Sequence, residues 1–183
     1  KDYIFQFPTD TIVVIDEALA DSSEIATSQL LGKYQNLIVV RSFSKIFGLA
    51  SLRIGYIVAA EEIIAEIRKT TSPFKVNGLA QELAVEAIKD TEHIKMASQF
   101  LQEERDYIKR ELTRLGFNYA DSKTTNMLVD IEPIGKNADE VVEMLSKEEV
   151  LVTGASVFQV PQNKYIRIAI SSRKENREFI KTL

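Results

Sequence analysis

Asn36-Leu-Ile-Val-Val-Arg-Ser-Phe-Ser-Lys-Ile-Phe-Gly-Leu-Ala-Ser-Leu-Arg-Ile-Gly-Tyr56 is the stretch on which the fold turns. It opens with Leu37-Ile-Val-Val40, a short unbroken apolar run rich in β-branched residues, and Thr11-Ile-Val-Val-Ile15 upstream has the same character. Such runs read as strands buried on both faces, the pattern of a parallel sheet covered by helices, so both are expected as central strands. About twenty residues separate them, including the polar Asp21-Ser-Ser-Glu24 cluster, which is enough chain for the crossover that parallel neighbours require.

Past Lys45 the same stretch turns through Gly48 and enters a third run, Arg53-Ile-Gly-Tyr-Ile-Val-Ala59. The intervening loop is too short for a helical crossover, which predicts antiparallel pairing with the preceding strand. Further out, Glu61 to Lys69 has apolar residues at helical spacing and stops at Thr70-Thr-Ser-Pro73. A helix is expected from near Leu79 to Lys89, and a longer one from Ile94 to Leu115 with Gly116 as its stop. The Glu and Lys residues of these helices, between 61 and 111, read as solvated faces with i,i+4 pairs.

From Phe117 the pattern changes. Strands are expected at Asn126–Ile131, Val150–Val152 and Tyr165–Ile170, a turn at Glu132-Pro-Ile-Gly135, and helices over Ala138–Lys147 and Glu175–Leu183. The fold class predicted is α/β. Residues 1–95 form a mostly parallel, helix-covered sheet domain, and residues 96–183 form a small α+β domain with mostly local connections.

Composition excludes several functions. The chain has 183 residues, 45% hydrophobic and 27% charged, with a net charge of −4 and both signs scattered, so no basic stripe offers itself to nucleic acid. It has no cysteine, which removes disulfides, thiolate metal sites and cysteine nucleophiles. His93 is the only histidine and sits among helical charges, so it is assigned to the surface and no two-histidine metal site is possible. No apolar run approaches the roughly 18 residues of a membrane span, and the N-terminus does not read as a signal peptide, so a cytoplasmic protein is expected. The chain opens on Lys1-Asp2-Tyr3 without methionine and runs at once into a strand pattern, as a chain beginning within a longer polypeptide would.

Ligands of open α/β sheets bind beyond the carboxyl ends of the parallel strands. Asp16 follows the first apolar run directly, and Arg41-Ser42-Phe43-Ser44-Lys45 follows the second. If the two strands are neighbours, Asp16 and Lys45 face one crevice. Ser42, Ser44 and Arg53 supply two hydroxyls and a guanidinium, a set suited to a phosphate dianion, and Gly48 and Gly55 let backbone come close. Each has a bland reading as well: a strand-end cap for Asp16, a solvated charge for Lys45, turn caps for the serines and a surface pair for Arg53. Ser42-x-x-Lys45 also satisfies the S-x-x-K pattern of serine acyl-transfer enzymes, but the companion Ser-Asp-Asn and Lys-Thr-Gly elements are absent and the chain turns into a strand after Lys45.

Val13-Val-Ile-Asp-Glu-Ala18 followed by Asn36 to Tyr56 resembles the cofactor site of the fold-type I pyridoxal-phosphate (PLP) aminotransferases of class I/II, most closely the histidinol-phosphate aminotransferases. Pro73-Phe-Lys-Val-Asn77, Tyr165-Ile-Arg-Ile168 and Glu175-Asn-Arg177 also look like that family, so the likeness runs along nearly the whole chain and matches the C-terminal half of such enzymes. The fold it implies is the C-terminal part of a PLP-transferase type I large domain followed by the small domain.

The resemblance implies that Lys45 forms the Schiff base with PLP and later shuttles a proton. It also implies that Asp16 pairs with the pyridine nitrogen, that Ser42, Ser44 and Arg53 grip the phosphate, and that Arg167 binds the substrate α-carboxylate. It implies ping-pong transfer between an amino substrate, histidinol phosphate or a related amine, and 2-oxoglutarate, in histidine biosynthesis, by a homodimer. A threonine-phosphate decarboxylase-like enzyme shares the same motifs, and a truncated, non-catalytic aminotransferase-like piece is the reading from outside enzymology. One departure is plain: where the family's Asp-Glu-Ala is followed by a tyrosine that bonds the PLP phenolic oxygen, this chain has Leu19.

Overall fold

The computed structural model describes residues 7–20, 27–158 and 163–183, the side chains of 28 and 29 excepted. The crossover segment 21–26 lies outside the described residues. The chain divides into two compact units, Lys1–Met96 and Ala97–Leu183.

In the first unit, β1 (Val13–Asp16), β2 (Leu37–Ser42) and β3 (Gly55–Ala59) form a sheet in the order β1-β2-β3. β1 pairs with β2 in parallel and β2 with β3 antiparallel, as their connections predict. The expectation that β1 is a central strand covered on both faces is corrected: it is an edge among the described residues, and Val14 is 59% exposed. Leu37 and Val39 are fully buried on one face, while the face carrying Val14 and Asp16 is open. A run of β-branched residues fits a doubly covered strand, but alternation of burial is decided by what packs on each side, which periodicity does not report.

The helices α1 (Glu61–Thr70) and α2 (Gly78–Lys89) follow. α2 starts where it does because Asn77 caps it, its side chain accepting from the backbone N–H of Leu79 at 2.8 Å and of Ala80 at 3.4 Å. Ala80 and Ala84, one turn apart, bury against Phe43 and Ile54, so α2 packs on the loop that carries Lys45. α3 (Thr91–Leu115) ends before Gly116, as expected.

In the second unit, β4 (Asn126–Asp130), β6 (Tyr165–Ala169) and β5 (Thr153–Gly154) form an antiparallel sheet in the order β4-β6-β5. The strand expected at Val150–Val152 is corrected to Thr153–Gly154, because Val150 and Val152 serve as side-chain packing against the core instead of pairing. Met127, Val129, Ile166 and Ile168 point from the sheet into a core shared with Ile108 and Leu112 of α3, and with residues of α4 (Ala138–Lys147) and α5 (Arg173–Thr182). Each such fully buried aliphatic side chain contributes roughly 1.5–3 kcal/mol of transfer free energy. Both α4 and α5 begin with capping boxes, Asn137 with Glu140 and Ser172 with Glu175.

Glu104 corrects the reading of the helical charges as solvated. It lies on the buried stripe of α3 with Ile108 and Leu112, receives a forked pair of bonds from Arg173 Nε and Nη2 at 2.8–3.0 Å, and accepts from Asn176 Nδ2 at 2.8 Å. Burial pushes its carboxyl up, yet the bonds from Arg173 and Asn176 and the charges of Arg173 and Arg177 outweigh this and hold it below the usual carboxylate value. Among the described residues no helix is long and apolar enough to cross a membrane, and no three acidic, histidine or cysteine side chains are grouped to hold a metal.

Candidate active site

Strand register brings part of the expected set together. Asp16 is the partner of Val40 in the parallel ladder, and side chains alternate along a strand, so Ser42, two residues beyond Val40, belongs to the same face as Asp16. That is the open face, at the carboxyl ends of the two parallel strands. Asp16 is exposed, and its Oδ1 accepts the backbone N–H of Ala18 at 2.8 Å, a bond that also turns the chain out of the strand.

Ser42 Oγ accepts the N–H of Ser44 at 3.0 Å, which occupies a lone pair of the hydroxyl and leaves its proton for another acceptor. Gly55 lies opposite Ser42 in the β2–β3 ladder. A Cβ at Gly55 would stand 2.6 Å from the carbonyl oxygen of Arg41, so the close approach of the two strands there demands glycine. Arg53, two residues before Gly55, is held in the left-handed region at φ 51°, with its Nη1 donating to Ala50 O at 3.0 Å. A non-glycine residue in that region carries strain of about 1–3 kcal/mol, the sort of cost that recurs where a side chain must be aimed.

Lys45 is exposed between two buried neighbours, Phe43 and Ile46. The Phe43 ring lies tilted against those of Phe47 and Tyr56 at centroid separations of 4.8 and 5.6 Å, and Gly48, at φ 69°, closes the turn by donating to Lys45 O at 2.9 Å. The loop is thus anchored on both sides of the lysine while the amine itself faces outward.

Arg167 lies in the second unit, on β6. Its neighbours Ile166 and Ile168 enter the core, so Arg167 stands on the other face, half-buried, with its guanidinium 4.5 Å from the centroid of the Phe158 ring and Nη2 3.5 Å from Thr153 Oγ1. Stacking leaves the edge of the guanidinium fork for a planar anion.

The sequence matches the family described as aminotransferase class I and II over residues 4–183. This chain belongs to that aminotransferase family. The histidinol-phosphate aminotransferase of Caldicellulosiruptor saccharolyticus is 35% identical over 191 positions, which cover 100% of this chain and 52% of the relative. The crystal structure of histidinol-phosphate aminotransferase from Sinorhizobium meliloti in complex with pyridoxal-5'-phosphate superposes with a TM-score of 0.82 at 25% identity, covering 98% of this chain and 50% of that one. L-threonine-O-3-phosphate decarboxylase from Porphyromonas gingivalis superposes with a TM-score of 0.79 at 28% identity, covering 95% of this chain and 54% of that one. The chain therefore spans about half the length of the relatives it matches.

Three further residues of this aminotransferase chain bear on the site and had no role assigned from sequence. Glu17, beside Asp16, is 4% exposed and forms an ion pair of 2.6 Å with Arg41, beside Ser42; the Thr27 hydroxyl also donates to Glu17. A cleft of about 260 Å³ is lined among others by Glu17, Arg41, Ser42, Tyr56 and Val58. The signal for the pair was present as alternation: an acid and an arginine in the same phase as the buried Leu37 and Val39. His93, assigned to the surface, is exposed but reaches back, its Nε2 3.2 Å from the carbonyl oxygen of Ile46 in the Lys45 loop. No periodicity could announce a contact between positions 47 residues apart.

Proposed function

We propose that this chain is the lysine-bearing portion of a PLP-dependent aminotransferase, with Lys45, Asp16, Ser42, Ser44 and Arg53 as its cofactor residues and Arg167 as its substrate-carboxylate residue. The observation that carries the reading is the shared open face of Asp16 and Ser42 at the ends of adjacent parallel strands, with the Lys45 loop following and Arg53 at the head of the next strand. PLP fits this donor set. A carboxylate matches the ring nitrogen, and hydroxyls and a guanidinium match the phosphate.

When bound, PLP supplies an electron sink for charge developing at the substrate carbon. The chain's own residues do the rest. The Asp16 carboxylate keeps a proton on the pyridine nitrogen by opposing its charge. Ser42 and Ser44 donate hydroxyl protons to phosphate oxygens, and Arg53 adds a fixed positive charge. Lys45 Nζ would hold the cofactor covalently and would supply the amine that moves a proton at the substrate carbon. Leu19 offers no hydroxyl where the family has a tyrosine, so the phenolic oxygen of the cofactor is held here without that bond.

The amino substrate is histidinol phosphate or a close analogue, the amino acceptor is 2-oxoglutarate, and the two half-reactions alternate on one site of a cytoplasmic homodimer. The names of the relatives reported above support the amino substrate. The likeness to L-threonine-O-3-phosphate decarboxylase supports a second reading, in which the same residues serve loss of carbon dioxide. Borohydride reduction of protein mixed with PLP, followed by peptide mapping, tests the cofactor assignment: a reduced adduct on Lys45 in the natural sequence, and none in Lys45→Ala of unchanged circular dichroism, is the expected result. An adduct of equal yield in Lys45→Ala would refute it. Glutamate formation against carbon dioxide release then separates the two reactions.

A further inference from the structure

We infer that Glu17 and Arg41 are positioning residues that set the spacing between Asp16 and Ser42; the inference rests on the cofactor reading above. The four residues form two adjacent pairs. Asp16 and Glu17 are consecutive at the end of β1, Arg41 and Ser42 at the end of β2, and alternation sends Asp16 and Ser42 to the open face and Glu17 and Arg41 to the other. The last backbone bond between the strand ends runs from Glu17 N–H to Val40 O at 2.9 Å. Beyond it, Arg41 Nη2 meets Glu17 Oε2 at 2.6 Å and ties the two ends again.

A rigid, flat ligand gripped at its ring nitrogen by one strand end and at its phosphate by the other senses the separation of those ends. Binding and chemistry are both sensitive to errors of an ångström in such a separation. A buried carboxylate is a costly way to hold two strands together, since replacing a buried pair by neutral groups of similar size is often harmless to stability. Glu17 is almost fully enclosed, and Thr27 adds a third tie to its other oxygen from beyond the strand. Such expense is understandable where geometry, and not stability, is what the pair supplies. Neither side chain belongs to the face on which the cofactor would lie, so both act through Asp16 and Ser42.

The test compares the natural sequence with Glu17→Gln/Arg41→Gln and with Glu17→Asp, which keeps both charges and shortens the link by one methylene. Thermal midpoint, PLP dissociation constant and the absorption maximum of the lysine-bound cofactor are measured on the full chain. The expected result is PLP binding at least tenfold weaker in the double variant, and at least threefold weaker in Glu17→Asp, with a displaced absorption maximum and a thermal midpoint near that of the natural sequence. Should the double variant fail to fold, Glu17→Asp carries the test alone. PLP affinity and absorption unchanged in a folded variant would overturn the inference while leaving the cofactor assignment standing. Absence of any lysine adduct in the natural sequence would overturn the cofactor assignment, and this inference with it.

Discussion

Asp16 sits opposite Val40 in the parallel ladder, so that Ser42, two residues further along β2, shares its face of the sheet. In the proposed reading the two grip opposite ends of one cofactor. Ser42→Ala removes one hydroxyl donor to a charged oxygen, worth about 1.5 kcal/mol or roughly tenfold in affinity. PLP titration should show that loss with the thermal midpoint unchanged, because the hydroxyl's bond to Ser44 N–H is local.

His93 reaches the Lys45 loop through a ring nitrogen that must donate, since its partner is the carbonyl oxygen of Ile46. Gln places an amide nitrogen at a similar reach. Hydrogen exchange at Phe47 and Gly48 should quicken in His93→Ala by about fivefold, the value of a hydrogen bond of about 1 kcal/mol, and recover in His93→Gln. Equal exchange in both variants would show that the contact does not hold the loop.

Arg167 is assigned the substrate carboxylate. Arg167→Ala should raise KM for carboxylate-bearing substrates by about a hundredfold, in line with roughly 3 kcal/mol for a charged hydrogen-bonded partner, while the yield of borohydride-reduced PLP adduct stays the same. Loss of the adduct would instead mark Arg167 as part of the fold or of the cofactor site.

Glu104 and Glu175 are among the carboxylates through which the second unit responds to acid. The Glu175 carboxyl is drawn down to about 2, first by the Ser171 hydroxyl and then by the hydroxyl and backbone N–H of Ser172. Glu104 is also held below its ordinary value of 4.5 despite its burial. A carboxyl whose folded value lies below its unfolded one contributes stability that is complete above the unfolded value and disappears as pH falls through the folded one. Acid titration of the unfolding free energy should therefore show a decline beginning near pH 4.5 and continuing toward pH 2. Glu104→Gln should reduce that decline, and at neutral pH should cost about 1.5 kcal/mol, the lower end for a hydrogen bond to a charged group, because the Arg173 left behind is 41% exposed. An unchanged acid profile in that variant would remove Glu104 from the account.

Periodicity and turn chemistry are local quantities, and what they determined was local. The helix over Ala138–Lys147, the stop at Gly116 and the parallel and antiparallel senses of the β1–β2 and β2–β3 pairings follow from side-chain spacing and from loop lengths that admit or forbid a crossover. The resemblance carried by Lys45 and its neighbours is of the same kind, because that stretch is contiguous and ordered, and the family match bears it out. The tertiary structure decided what depends on partners distant in the chain. It left one face of β1 open where Val13-Val-Ile15 reads as covered on both, drew Glu104 of α3 out of solvent to meet Arg173 and Asn176 some 70 residues later, and turned His93 back onto Ile46. A charged side chain is solvated or buried according to whether a counter-charge arrives across space to offset its desolvation, and no window of neighbouring residues contains that information.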